Sequence, residues 1–185
     1  MNERGGRSPD GFTPIQKEAL INNGFAIYRL TGQTLELLFS QGHPFVRQWH
    51  DKDFWFLADD IAKQRAIVGE VAIRSELPFL SEGTNKTLDE QLQIIDDFNR
   101  KLKITNPGVI AMIGNAPDYA ELAFQHPNSL CPINLTEDFI RTKSFYSKVN
   151  AVTVGPFLKD GLNISGWNVQ STGLRLGIIP LLIPE

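Results

Sequence analysis

Leu88, Leu92, Ile95, Phe98 and Leu102 recur at three- and four-residue steps, while Asp89, Gln93, Asp96, Asp97 and Arg100 fall outside that stripe. The pattern predicts an amphipathic helix over Thr87 to Leu102. Its ends carry matching signals: Thr87 with Glu90 makes a capping box, Asp89 and Glu90 suit the positive end, and Arg100 and Lys101 suit the negative end. Asn106, Pro107 and Gly108 then stop it. Short apolar runs at Val68 to Ile73 and Val109 to Ile113 read as strands, and Pro117 to His126 reads as a further helix. Strand, helix, strand, helix is the order of a βαβ crossover, right-handed if its strands are parallel.

The flanking pattern is of two kinds. Before the crossover, Thr13 and Gln16 with Pro14 predict a helix ended by Gly24. Phe25 to Leu30, apolar on both faces, predicts an interior strand, and Gln33 to Gln41 a short helix with Leu35, Leu38 and Phe39 inward. Phe45 to Trp49 and Phe54 to Leu57 suggest a hairpin, Asp59 to Arg65 a helical turn or a loop, and Arg74 to Lys86 a long connection. After Pro127 the pattern turns to β. Phe139 to Tyr146 reads as an edge strand or a loop, and Val149 to Leu158 as a strand interrupted by Gly155 and Pro156. Asp160-Gly161 is a two-residue hairpin signal that would pair Lys159 with Leu162 and Phe157 with Ile164, and Leu174 to Ile183 reads as one apolar strand. The expected fold is α/β or α+β: one domain over residues 13–185 with a mixed β-sheet, an N-terminal βαβ-like half flanked by helices, and a mostly antiparallel β C-terminal part. Residues 1–12 are expected to form a disordered tail.

Composition narrows this picture in one direction. A hydrophobic fraction of 42% with 21% charged residues is that of a soluble globular chain. No apolar run approaches the roughly 20 residues of a membrane span, and no apolar segment follows Arg4 to Arg7 as in a signal peptide. A net charge of −3 offers no attraction to nucleic acid or to an anionic membrane, despite the small cluster of Arg141, Lys143, Phe145, Tyr146 and Lys148. The single cysteine, Cys131, rules out an internal disulfide and suits a reducing, cytoplasmic setting.

Candidate chemistry concentrates where the second crossover strand meets the following helix. Asn115 can cap that helix, and Asp118, Glu121 and Gln125 share one face, with Tyr119, Leu122, Ala123 and His126 on the buried side. In open α/β sheets ligands bind at such corners, at the carboxyl ends of the strands. Two carboxylates there could bind a cation or act as acid and base; the structural alternative is a solvated face matched to the helix dipole. Lys86, in a stretch that only faintly resembles a P-loop, and Arg141 with Lys143 could supply countercharge to an anion at a helix start. His50, beside Trp49 and Asp51, is the histidine best placed for proton transfer, whereas His126 reads as a satisfied core or boundary residue. The spacing of His43, His50 and His126 defines no metal site, Cys131 lacks a catalytic motif, and Gly-x-Ser-x-Gly is absent.

Three functions fit. A binding or interaction module, taking a small-molecule ligand or a protein partner, fits strong folding signals without a catalytic constellation. A small hydrolase would use Asp118 and Glu121 with a histidine. A subunit of a homo-oligomer would pair along exposed C-terminal strands at Leu181, Leu182 and Ile183. No cofactor is indicated by any motif.

Overall fold

Local capping chemistry and apolar periodicity set the elements of the computed structural model, which describes residues 11–46, 60–76, 79–126 and 138–185. In chain order these are α1 (Pro14–Asn22), β1 (Phe25–Thr31), α2 (Leu35–Ser40), β2 (Val68–Arg74), α3 (Leu88–Thr105), β3 (Val109–Ile113) and α4 (Ala116–Gln125). They are followed by β4 (Phe139–Ser147), β5 (Asn150–Leu158), β6 (Gly161–Asn168), β7 (Leu176–Gly177) and β8 (Pro180–Pro184). Both capping boxes form as the sequence implies: Thr13 Oγ1 and Thr87 Oγ1 accept from the Gln16 and Glu90 amides, and those side chains accept from the threonine amides in return.

The strands build two sheets, giving an α+β fold. The first has the order β1-β2-β8-β3, with each neighbouring pair antiparallel. The crossover is therefore present but split. β2 and β3, joined by α3, run parallel to each other, and β8 lies between them, with Leu182 opposite both Ala72 and Ala111. The second sheet has the order β6-β5-β4-β7, antiparallel except for the short parallel pair of β4 with β7.

The apolar C-terminal run supplies both sheets. Leu174 to Ile183 is not one strand: Leu176 and Gly177 pair with β4, the buried Ile178 and Ile179 cross over, and β8 starts at Pro180 in the first sheet. A proline tolerates that place because the first residue of a strand can forgo its ladder N–H. Leu181 and Leu182 are consequently fully buried, where exposure was expected. β1 differs too, being an edge strand. Its apolar faces meet two different layers, Phe25 and Ile27 packing with α1 and α3 residues and Tyr28 and Leu30 with α4 residues. Cover on both faces does not require neighbours on both edges. The other edge of this sheet, β3, is guarded by the Asn99 side chain, which accepts from the Ala111 amide at 2.6 Å and donates to its carbonyl at 2.8 Å.

Further differences have local causes. The chain is ordered before Thr13, since Phe12 is buried against α1 and the sheet and its amide donates to Glu70 at 2.9 Å. Asp60–Lys63 is a 3₁₀ turn, and Phe39 on α2 is 37% exposed although Leu35 and Leu38 point inward. Phe45 bridges Leu162 in parallel; the rest of the expected hairpin, with Trp49, His50 and Phe54 to Leu57, lies outside the described residues. So do most of the expected tail and Cys131. β4 is a strand flanked by β5 and β7, and the Gly155-Pro156 interruption is a bulge inside β5.

The two-residue turn lies one residue earlier than the Asp160-Gly161 signal implies: Leu158 pairs with Gly161 and Phe157 with Leu162, and beyond the bulge Val154 pairs with Ile164. Gly161 belongs to the strand because another piece of backbone presses on it. Its φ is +126°, and a β-carbon there would lie 2.3 Å from the Pro44 carbonyl oxygen, which accepts from the Leu162 amide at 2.9 Å. Gly161→Ala is therefore expected to destabilise the fold by about 2 kcal/mol or more, because neither the φ nor the space can be recovered without moving backbone. Urea unfolding of the variant beside the parent chain measures this, and a loss below about 0.5 kcal/mol would refute the packing described.

Candidate functional site

Helix α4 carries the sequence-predicted corner, and it is buried on every side of its first two turns. Ala116, Ala120 and Ala123 let it lie close between the sheets, with Tyr119 and Leu122 in the core shared by Val71, Leu181, Ile140 and Val152. Asp118 and Glu121 are fully buried as well, which corrects the expectation of a solvated face.

Both carboxylates are occupied by backbone. One Asp118 oxygen accepts from the Ile67 amide at 2.7 Å and the other from the Asn115 amide at 2.6 Å. Glu121 accepts from the Thr31 amide at 2.5 Å and its hydroxyl at 2.8 Å through one oxygen, and from the Gln33 amide at 2.9 Å through the other. The Thr31, Gln33 and Ile67 amides lie at the end of β1 and just ahead of β2, at or beyond the last paired residues, Thr31 and Val68, and the Asn115 amide lies at the start of α4 itself. The acids thus complete the sheet, as a buried polar group must be completed by some partner. Tyr119 does the same elsewhere: its hydroxyl donates to the Ile179 carbonyl at 2.6 Å and accepts from the Gly114 amide at 2.9 Å, and burial pushes it well above the usual phenol range. The Ser144 hydroxyl accepts from the Ala116 amide at 2.9 Å, and the Lys143 amide donates to the Gly114 carbonyl at 2.8 Å. The corner is sealed by its own chain.

The remaining candidates are dispersed. Lys86 is half-buried and pairs with Glu90 at 3.4 Å, so the start of α3 already holds a carboxylate. The Lys143 side chain is exposed, whereas Arg141, two residues earlier on β4, is fully buried and donates to the carbonyls of Asn168 and Val169 at 3.3 Å and of Ser171 at 2.7 Å. His50 lies outside the described residues. His43 stacks on Phe124 at 4.5 Å between ring centroids. His126 packs on Tyr28 at 5.0 Å, yet its Nε2 is buried without a partner among the described residues, so it is not the satisfied histidine expected. Among the described residues no group of three or more His, Cys, Asp or Glu is placed to hold a metal ion, and no helix is long and apolar enough to cross a membrane.

An open cleft lies elsewhere, between the end of α1, the last turns of α3 and the Phe25 and Arg74 ends of β1 and β2, with a volume of about 270 Å³. Phe25, Phe98 and Leu102 form its apolar wall. Arg74 and Lys101 bring positive charge, and the Arg74 guanidinium lies 5.9 Å from the Phe25 ring centroid. Asn23 and Thr105 add hydrogen-bonding groups. No sequence spacing connects these residues: Arg74 reads as the start of a connection and Lys101 as a helix-end charge. Only the packing of α3 beside the ends of β1 and β2 brings them together. No family model, curated protein or solved structure matches this chain.

The sealed acid has a consequence for stability. Burial first, and the Glu121 charge to a lesser extent, raise the Asp118 carboxyl to about 6 against the opposing pull of the Ile67 and Asn115 amides. The folded state therefore binds this proton more tightly than the unfolded chain, where the carboxyl titrates near 3.9. Its contribution is fully present below about pH 4 and lost as pH rises through about 6, an effect of roughly 3 kcal/mol for a shift of about two units. Urea unfolding between pH 4.5 and 7.5 should show this decline, and Asp118→Asn, although less stable throughout because its amide NH₂ faces a backbone donor, should flatten it. Parallel pH profiles for the two proteins would count against the assignment.

Proposed function

We propose that the chain is a small-molecule-binding module whose site is the cleft beside α3, and that its ligand is an anion with an apolar or aromatic body. The observation that carries this reading is the joining of Phe25, Phe98 and Leu102 with Arg74 and Lys101 around one open cleft, the mixture of apolar wall and few polar groups that small-molecule sites use. Neither cation forms an ion pair among the described residues. The size calls for a small metabolite, since about 270 Å³ lies just below the usual range of ligand cavities. A carboxylate or phosphate ester would face the two cations while its body packs on Phe98. The single cysteine favours a reducing compartment, so the cytoplasm is where such a ligand would be met.

The hydrolase alternative draws less support, because each oxygen of Asp118 and Glu121 already accepts a hydrogen bond from backbone and neither residue is open to a substrate. Pairing of copies through β8 loses its motive in the same way, since β8 lies between β2 and β3.

Titration calorimetry with a panel of small aromatic and aliphatic carboxylates and phosphate monoesters tests the reading. At least one member should bind, with Lys101→Gln and Arg74→Gln each weakening it about tenfold, roughly 1.4 kcal/mol. Phe98→Ala should weaken every member of the panel. No binding across the panel, or binding indifferent to Lys101 and Arg74, overturns the proposal.

A further inference from the structure

Among the described residues the chain covers its sheet edges with its own groups at every edge but one. On β3 the Asn99 side chain takes both backbone groups of Ala111. Beside β6, Pro44 and Val46 bond the Leu162 amide at 2.9 Å and its carbonyl at 3.0 Å. β7 has two residues, and Ile178 just beyond it accepts from the Leu80 amide at 3.1 Å. The remaining edge, β1, is open. Its seven residues run in unbroken register with β2, without a proline or a bulge, and Arg29 is its one charge. A regular edge of that kind is a template for another strand, and proteins ordinarily blunt it.

Which groups stand free follows from the alternation of an antiparallel ladder. The Ser75 amide donates to the Gly24 carbonyl at 2.9 Å, one step outside the pair of Phe25 with Arg74. Ala26, Tyr28 and Leu30 therefore bond to β2, while Phe25, Ile27, Arg29 and Thr31 turn their amides and carbonyls outward. The Thr31 amide agrees, since it leaves the ladder and donates to Glu121. No bond from another described residue reaches the outward groups of Phe25, Ile27 and Arg29.

We propose that β1 pairs antiparallel with β1 of a second copy, about a two-fold axis at Ile27, so that two four-stranded sheets become one continuous sheet. The free set is symmetric about Ile27 and selects this occupant. Ile27 meets its own copy and Phe25 meets Arg29 on either side of the axis, each pair exchanging two bonds, so every free group is used. The Arg29 guanidinium then lies beside an aromatic ring, and on the other face Ala26 comes opposite Tyr28, small against large. Neighbouring registers do worse. An axis at Tyr28 matches Phe25 with Thr31, whose amide Glu121 already holds, and an axis at Arg29 sets guanidinium against guanidinium. Neither Ile27 nor Arg29 lines the cleft beside α3, so the pairing stands apart from the ligand proposed there.

Sedimentation velocity of the full chain over roughly 1–100 μM tests the pairing, with dimer expected to predominate at the upper end. Ile27→Pro and Arg29→Pro each remove an outward amide and leave the ladder to β2 intact, so both should fold and dissociate at least tenfold more readily than the parent. Ile27 is half-buried and its loss also disturbs packing; Arg29 is exposed, and its variant decides the matter if the first is poorly folded. Amide exchange followed by NMR should show Phe25, Ile27 and Arg29 becoming protected as the dimer forms, with Thr31 protected at every concentration. A chain still monomeric at about 100 μM overturns self-pairing and leaves the edge to a strand of another protein. A dimer unmoved by both prolines, or one in which those three amides exchange freely, has its interface elsewhere and overturns the proposal equally.

Discussion

Five hydrogen bonds to two buried carboxylates hold α4 to the first sheet and close its own N-terminal turn. Asp118 and Glu121 stand one turn apart on α4, between two sheets that share no strand, and they take up amides from Thr31, Gln33, Ile67 and Asn115 together with the Thr31 hydroxyl. A hydrogen bond to a charged group contributes about 1.5–3 kcal/mol, more than a neutral one. These bonds also fix α4 along its axis, which apolar packing alone does not do, since hydrophobic contact is non-directional. Burying the acids is costly, and the cost is visible in the raised Asp118 pKa. What it secures is register: the end of β1, the approach to β2 and the start of α4 are held to one another by named atoms.

Once α4 is placed, the rest of the architecture has few options. Its small residues admit Val71, Ile73 and Leu181 on one side and Ile140, Val152 and Ile164 on the other. The chain must then return from the second sheet to fill the gap between β2 and β3, and the last apolar run does so by changing sheets at Ile178 and Ile179. The outer face of the first sheet is left to α1 and α3, with Leu20 and Leu102 in a second apolar cluster. Lys17 reaches from α1 to Glu70 at 2.6 Å, and Glu70 in turn takes the Phe12 amide, so the N-terminal segment closes that cluster through one side chain.

Elements with local causes were legible in the sequence. The capping boxes at Thr13 and Thr87, the stripe on α3, the glycines after α1 and α2 and the β3 run all follow from interactions within a few residues, and all appear as read. What was illegible depends on distant partners. Period alone cannot tell a solvated Glu121 from one whose acceptors are filled by Thr31 and Gln33, ninety and eighty-eight positions away. The Asp160-Gly161 signal missed the true register because the Pro44 backbone, not the turn, claims Gly161. β8 could not be seen between β2 and β3, since a crossover reads the same whether its strands touch or admit a third. Of the candidate site, the corner was found and its chemistry misjudged, while the cleft went unseen because its walls come from four separate elements.

A buried carboxylate on a helix at the end of a strand looks the same in sequence whether it binds a ligand or a backbone. Counting the partners of each of its oxygens separates the two. At Asp118 and Glu121 every oxygen is matched to an amide of the same chain, so nothing is left over for chemistry. At Arg141 and Thr153 the same accounting leaves a remainder among the described residues, a donor and a hydroxyl with no partner and a charge with no carboxylate beside it. Native interiors keep few such groups, because each costs about 1–3 kcal/mol and selection removes those that bring nothing. A carboxylate at a strand-to-helix corner is thus read as structural or chemical only once its partners are counted, and at this corner the count is structural.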